Sequence, residues 1–135
     1  MPAGKAALLY AASLLVFLGI DFVWLSTMGD RFYRRHLGDL MAASPNLVVA
    51  LLFYLVYVVG VLVLVVVPAL DAGSVAKAVI GGALLGLVAY GTYDITNLST
   101  IQGWPAIVAI VDLVWGTTLT AVVSAVGYLV GRWLA

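Results

Sequence analysis

Three aspartates stand inside apolar stretches of this sequence, where a carboxyl group is unusual. Asp21 lies in "IDFVW", Asp94 in "TYDIT" and Asp112 in "VDLVW". A carboxyl group in apolar surroundings can exchange protons, hold a cation or act as a general acid or base. Two of the stretches share the order aspartate, any residue, valine, tryptophan, so Trp24 and Trp115 each follow an aspartate by three residues. The aspartates are therefore the first candidates for chemistry.

Aromatic and small polar residues accompany the aspartates at helical spacing. Tyr90, Asp94 and Asn97 share one helical face, because positions i, i+4 and i+7 align. A stripe of small and polar residues starts at Asp112 and continues at every third or fourth position, which is typical of a face that packs inward. The predicted ligand pocket comprises Asp21, Trp24, Tyr90, Tyr93, Asp94, Asn97, Asp112 and Trp115, with Tyr54, Tyr57, Thr92, Gly116, Arg34 and Arg35 at its periphery.

The composition indicates which kind of protein must position these residues. Of the 135 residues, 65% are hydrophobic and only 9% are charged, whereas soluble domains carry about 25% charged residues. The chain has no cysteine, which excludes disulfides, thiol catalysis and cysteine-based metal sites. Its net charge of zero argues against nucleic acid as a partner. These features predict an integral membrane protein.

Four apolar stretches are long enough to cross a bilayer, which takes about 20 residues. We expect a single all-α domain over residues 1–135, with four transmembrane helices in an antiparallel bundle. Ser44 is the predicted N-cap of the second helix and Pro45 its first residue. Pro68 and the "DAGS" that follows are expected to end this helix. The spans are predicted at about 6–25, 45–70, 75–97 and 105–130.

The first connection, residues 26–44, is longer than the others and contains "DRFYRRHLGDLM". We expect it to form a short interfacial helix between helices 1 and 2, with its charged side chains outward. Its apolar residues, predicted to face the bilayer, are Phe32, Leu37, Leu40 and Met41.

The order of the spans places the three aspartates in one leaflet, below the connection that holds Arg31, Arg34, Arg35 and His36. An aspartate near the middle of a span costs about 2.5–3.5 kcal/mol on insertion scales. Partners are therefore expected for these carboxyl groups. The candidates are the arginines, nearby tyrosine and threonine hydroxyl groups, or a bound cation.

Several of these residues also have a simpler structural interpretation. The glycine stripes favour close helix packing, and Trp24, Trp104 and Trp133 fit an interfacial aromatic belt. The arginines fit a solvated cluster that faces lipid phosphates, and the aspartates a polar network that fixes helix register. No metal motif or Gly-rich phosphate loop is present, so we expect no metal and no cofactor.

The segments "IDFVWL", "YGTYDITNLST", "GWP" and "VDLVWG" resemble a bacterial family of small membrane proteins, catalogued as a domain of unknown function with the number 2177. The resemblance covers essentially the whole chain and implies a four-span inner-membrane protein, without an established activity. The residues that match the family pattern are Asp21, Trp24, Tyr90, Thr92, Tyr93, Asp94, Asn97, Trp104, Pro105, Asp112, Trp115 and Gly116.

Three functions fit these observations. The first is binding or transport of a small cation or amphiphile in the Asp/Tyr/Trp pocket. The second is an accessory or assembly subunit of a larger membrane complex. The third, a lipid-modifying enzyme that uses an aspartate as acid or base, is least favoured because no nucleophile is recognisable.

The expected partners are membrane lipids and either a second copy or a larger complex. We expect a multi-pass protein of the bacterial inner membrane. Lysine and arginine residues are divided equally between the two sides of the predicted bundle, so the positive-inside rule is nearly silent on orientation. The α-amino group favours cytoplasmic termini.

Overall fold

The computed structural model describes residues 1–135, which form helices and no strand. The α-helices are α1 (Ala3–Met28), α2 (Arg34–Leu37), α3 (Leu47–Val61), α4 (Val67–Ala72), α5 (Val75–Thr100) and α6 (Ala106–Leu134). Four helical stretches are long and apolar enough to cross a membrane: Ala3–Leu40, Leu47–Ala72, Val75–Thr100 and Ala106–Leu134. We call them the first to fourth spans. The predicted all-α bundle of four spans is confirmed.

The third and fourth spans pack most closely, because glycine brings their backbones together. A β-carbon added at Gly82 would lie 2.7 Å from the Thr120 carbonyl oxygen. One added at Gly86 would collide with the backbone of Gly116. Small residues allow this approach in a bilayer, where helix association depends on van der Waals contact. The small-residue stripes predicted from the sequence therefore form the central interface of the bundle.

The second span begins two residues later than predicted. Its N-cap is Asn46, whose side-chain oxygen accepts a 3.2 Å hydrogen bond from the Val49 N–H. The prediction of Ser44 as N-cap and Pro45 as first residue is therefore wrong. Asparagine is as good an N-cap as serine, and it stands directly before the apolar run. Asn46 thus caps the helix at the surface and does not point into the bundle.

Of the two features predicted to end the second span, "DAGS" does so and Pro68 does not. The helix passes through Pro68 and ends at Ala72, where Gly73 adopts a left-handed φ of 63°. A proline inside a helix has no N–H to donate and crowds the preceding turn. The chain accommodates it with a π-helical turn at Leu62–Val66, just before the proline. A widened turn of this kind is a common way to absorb such a conflict.

The two halves of the second span pack differently. From Val58 to Ala69, half of the residues are buried, and Val58, Val61 and Val66 are fully buried. Between Leu47 and Tyr57 no residue is buried, although Tyr54 and Tyr57 pack against Phe17 of the first span. The first half of the second span therefore packs less closely than the second half, and a cleft opens beside it.

The first connection is helical, as predicted, and continues directly from α1. A π-helical turn at Gly29–Tyr33 leads into α2, and a 3₁₀ turn follows at Gly38–Leu40. Gly38 has a φ of 55°, which favours glycine. Phe32 packs against the ring of His36 at a centroid distance of 4.5 Å. This segment brings Tyr33 close to Asp112 of the bundle.

Candidate functional site

Asp21, on the first span, lies inside the bundle with 5% of its surface exposed. Its Oδ1 accepts a 3.3 Å hydrogen bond from the indole Nε1 of Trp115 on the fourth span. The hydroxyl group of Tyr54, on the second span, lies beside the same carboxyl group. Three spans therefore meet at Asp21, and both neighbours can donate a hydrogen bond to it.

Asp112, on the fourth span, has a partner in the first connection. The Tyr33 hydroxyl donates a hydrogen bond to Asp112 Oδ1 and accepts one from Trp24 Nε1 at 3.0 Å. The three side chains thus form a chain of hydrogen bonds that ends on a carboxyl group. Since Tyr33 belongs to the π-helical turn after α1, this turn links the end of the first span to the fourth span.

The two tryptophans of the repeated pattern stack on each other. Their ring centroids are 4.2 Å apart and their planes differ by 7°. The first and fourth spans run in opposite directions, so each tryptophan lies next to the other helix's aspartate. Trp115 donates to Asp21 directly, and Trp24 reaches Asp112 through Tyr33. Trp24 therefore has specific stacking and hydrogen-bond partners inside the protein, which a position in an interfacial aromatic belt does not by itself require.

Asp94, on the third span, is completely buried. Neither of its carboxyl oxygens meets a hydrogen-bond donor in the protein. Its neighbour is Asp112, close enough for a hydrogen bond when one of the two carries a proton. No three acidic or histidine side chains lie close enough together to enclose a metal ion. The site is thus one carboxyl pair, Asp94 with Asp112, and a separate carboxyl group at Asp21.

The Tyr90 ring packs directly on Gly116 of the fourth span, next to the aspartates. A β-carbon at Gly116 would overlap the Tyr90 ring, so only glycine leaves room for it. The ring meets Tyr57 edge to face at a centroid distance of 6.4 Å. The Tyr57 hydroxyl is 2.8 Å from Thr120 Oγ1. Tyrosines from the second and third spans therefore form a continuous aromatic layer over the fourth span.

The cleft beside the second span opens onto this aromatic layer. It has a volume of about 440 Å³. Its lining residues are Phe17, Ala50, Phe53, Tyr54, Tyr57, Ala89, Tyr90 and Tyr93. Six of the eight are aromatic, and one of these, Tyr54, lies beside Asp21. We call this space the aromatic cleft.

A second groove runs between the first and fourth spans and is almost wholly apolar. Its lining residues are Leu15, Val16, Gly19, Ile20, Val23, Trp24 and Trp115. The stacked tryptophans form one of its walls and use their N–H groups toward the aspartate side. A polar ligand therefore finds no group in this groove with which to bind, and the aromatic cleft is the better approach to the carboxyl groups.

Some residues of the predicted pocket lie elsewhere. Thr92 is exposed and donates to the Val88 carbonyl oxygen at 2.7 Å, as is usual for a helical threonine that faces outward. Tyr93, by contrast, lines the aromatic cleft near Asp94 and Asp112, and the Asn97 side chain lies within hydrogen-bond reach of its hydroxyl group.

The predicted pairing of arginines with the aspartates is also absent. Arg34 pairs with Asp30, four residues earlier on the same segment, at 2.9 Å. Arg35 is exposed and makes no salt bridge. A local i, i+4 partner is nearer to Arg34 than a carboxyl group inside the bundle. The alternative interpretation of the arginines, a solvated cluster, therefore agrees better with the structure.

Tyr33 is the residue that sequence reasoning missed. The charges and the apolar face of the first connection do not point to Tyr33, because a tyrosine between Phe32 and Arg34 fits neither pattern. One sequence feature does point to it: the aspartates need hydrogen-bond donors, and a hydroxyl group in the longest connection can supply one. Only the π-helical turn after α1 shows which hydroxyl group is near enough.

The comparisons with known proteins agree with this architecture. No curated protein and no solved structure matches the chain. A family model described as "predicted membrane protein (DUF2177)" matches residues 6–129, which is most of the sequence and all of the site. The chain therefore belongs to the DUF2177 family of predicted membrane proteins.

Proposed function

We propose that the protein binds a cationic amphiphile, with its apolar part in the aromatic cleft and its head toward the carboxyl groups. The observation that carries the proposal is that no lysine, arginine or histidine side chain pairs with the aspartates of the site. The one salt bridge of the chain joins Arg34 to Asp30, outside the bundle interior. Asp21 and Asp112 receive only neutral donors. A positively charged ligand would supply the charge that the chain does not.

The shape of the aromatic cleft supports the same class of ligand. Its volume of about 440 Å³ lies within the ordinary range for small-molecule sites, roughly 300–1,000 Å³. One side of the cleft is formed by the first half of the second span, whose exposed surface is apolar. A molecule dissolved in the bilayer could therefore enter sideways. Aromatic faces attract cations, by about 0.5–2 kcal/mol each, so the lining also favours a positive head.

A binding experiment tests this proposal with two probes of equal chain length. Dodecyltrimethylammonium carries a cationic head, and dodecylphosphocholine carries a cation neutralised by its own phosphate. We expect the protein, purified in a neutral maltoside detergent, to bind the first at least tenfold more tightly than the second. Isothermal titration calorimetry measures both affinities under the same conditions.

Variants locate the binding in the cleft. Asp21→Asn removes a carboxyl group beside Tyr54 of the cleft, and Asp71→Asn makes the same change at an exposed position outside it. We expect Asp21→Asn to weaken binding of the cationic probe about tenfold, which corresponds to roughly 1.4 kcal/mol. Equal affinities of the two variants, or of the two probes, would refute the proposal.

Transport, membrane and orientation are further parts of the proposal. Four helices form a thin wall, so transport would need a homodimer or a larger complex. We place the protein in the bacterial inner membrane with both termini in the cytoplasm. Reporter fusions at the C-terminus, active only on one side of the membrane, test the orientation. Stoichiometric co-purification of another membrane protein would favour the accessory-subunit alternative instead.

A further inference from the structure

We propose that Asp94 and Asp112 together bind one proton, in a proton site to which the Tyr33 hydroxyl donates a hydrogen bond. The inference does not depend on a ligand in the aromatic cleft. It rests on the positions of the donors and acceptors around the two carboxyl groups. The sequence predicts Asp94 and Asp112 as two separate members of a pocket. The geometry makes them one unit.

The first part of the argument concerns Asp94. The side chain has no exposed surface, and both of its oxygens lack a donor. A charged carboxylate in such a place would be buried with neither a counter-charge nor a hydrogen bond, which proteins avoid. A protonated carboxyl group avoids that cost, and it needs an acceptor for its own O–H. The neighbouring Asp112 is that acceptor.

The second part concerns Asp112, whose surroundings suit a charged carboxylate. One oxygen already accepts from the Tyr33 hydroxyl. That hydroxyl is held by the Trp24 N–H, so its own hydrogen is free to point at Asp112. With the proton on Asp94, each donor in this row of hydrogen bonds has one acceptor. Trp24 donates to Tyr33, and Tyr33 and Asp94 both donate to Asp112. With no proton on the pair, the two carboxylates would repel each other.

The other groups that face the pair do not change this assignment. From the first span comes Asp21, which is served by Trp115 and lies beside Tyr54. From the third span come Tyr90 and Tyr93, which are neutral hydroxyl groups. No lysine, arginine or histidine pairs with the site. The pair therefore retains its proton without competition from a basic side chain.

Tyr33 contacts the pair on its more exposed side. Tyr33 belongs to the turn that leads into the Arg-rich α2, and both Tyr33 and Asp112 are partly exposed, whereas Asp94 is fully buried. A proton that arrives from the α2 side reaches Asp112 first. It then passes from an Asp112 oxygen to an Asp94 oxygen, one O–H bond breaking as the other forms, and the charge of the pair stays the same.

Infrared spectroscopy tests the proton site in the parent protein, with no ligand present. A protonated carboxyl group has a C=O band distinct from that of a carboxylate, and the band shifts in D₂O. At neutral pH we expect one protonated carboxyl group per chain. Its absence, with all carboxyl groups ionised, would overturn the inference. Because no amphiphile is added, a failure of the proposed function leaves this result unaffected.

Variants assign the band. Asp94→Asn keeps the side-chain volume and gives Asp112 an amide donor, so we expect the band to disappear. Asp30→Asn, the control, changes an aspartate outside the bundle interior and should leave the band in place. Tyr33→Phe should keep the band, shift its frequency and speed its deuteration. A band that persists in Asp94→Asn would show that the proton is elsewhere and would also refute the assignment.

Discussion

The contact of Gly86 with the fourth span yields the sharpest prediction on stability. A β-carbon at Gly86 would lie 2.8 Å from the Gly116 carbonyl carbon and 2.8 Å from Thr120 Oγ1, and closer still to the Gly116 oxygen. Ordinary contacts between carbon atoms are roughly 3.5–4.0 Å. The obstacle is mostly backbone, which no rotamer change can move. In Gly86→Ala the third and fourth spans must therefore separate.

The expected loss of stability follows from two opposing effects. Overpacking of a close interface costs about 1–3 kcal/mol. Alanine has a better helix propensity than glycine, by about 1 kcal/mol, and this offsets part of the cost. We expect Gly86→Ala to lower the free energy of unfolding by up to about 2 kcal/mol.

Gly60 provides the matched control. It is also inside a spanning helix, but a β-carbon there would meet no atom within 4 Å. Gly60→Ala should therefore keep or raise the free energy of unfolding. Titration with sodium dodecyl sulfate in mixed micelles, followed by circular dichroism, measures both variants. If Gly86→Ala proves as stable as Gly60→Ala, the close backbone approach described here is wrong.

Three further predictions concern buried polar groups. Tyr57→Phe removes the hydroxyl partner of the fully buried Thr120 and should cost about 1 kcal/mol of unfolding free energy in the same titration. Ser124→Ala removes a buried hydroxyl group that has no partner, so stability should be unchanged or higher; a clear loss would reveal a partner for that hydroxyl. Trp115→Phe removes the donor to Asp21 and should lower stability by about 1–2 kcal/mol, whereas an unaltered midpoint would show that this hydrogen bond contributes nothing.

The sequence predicted the fold well because the pattern is repeated and physically strict. Runs of apolar residues that exceed the bilayer thickness must be helices, and short connections make them antiparallel. Boundaries were less well predicted where two signals competed. Asn46 and Ser44 are both good N-caps, and a proline such as Pro68 either ends a helix or is accommodated by a widened turn. Local sequence does not decide between these outcomes.

The candidate site was predicted in its residue types and only partly in its contacts. The face that carries Tyr90 and Asp94 could be derived from helical spacing. The stack of Trp24 on Trp115 could not, because it depends on how far one antiparallel helix is shifted along the other. The role of Tyr33 depends on the π-helical turn after α1, which brings a residue of the connection within hydrogen-bond reach of Asp112.

The sequence by itself determined that this is a membrane-spanning helical protein in which three aspartates require partners. Apolar length and the cost of a buried charge are properties of the chain alone. Only the tertiary structure decided who those partners are. Neutral tyrosine and tryptophan donors serve Asp21 and Asp112, whereas Asp94 has only another acid beside it. The physical reason is distance: hydrogen bonds form within about 3 Å, and the offsets between helices that set such distances arise from packing of the whole bundle.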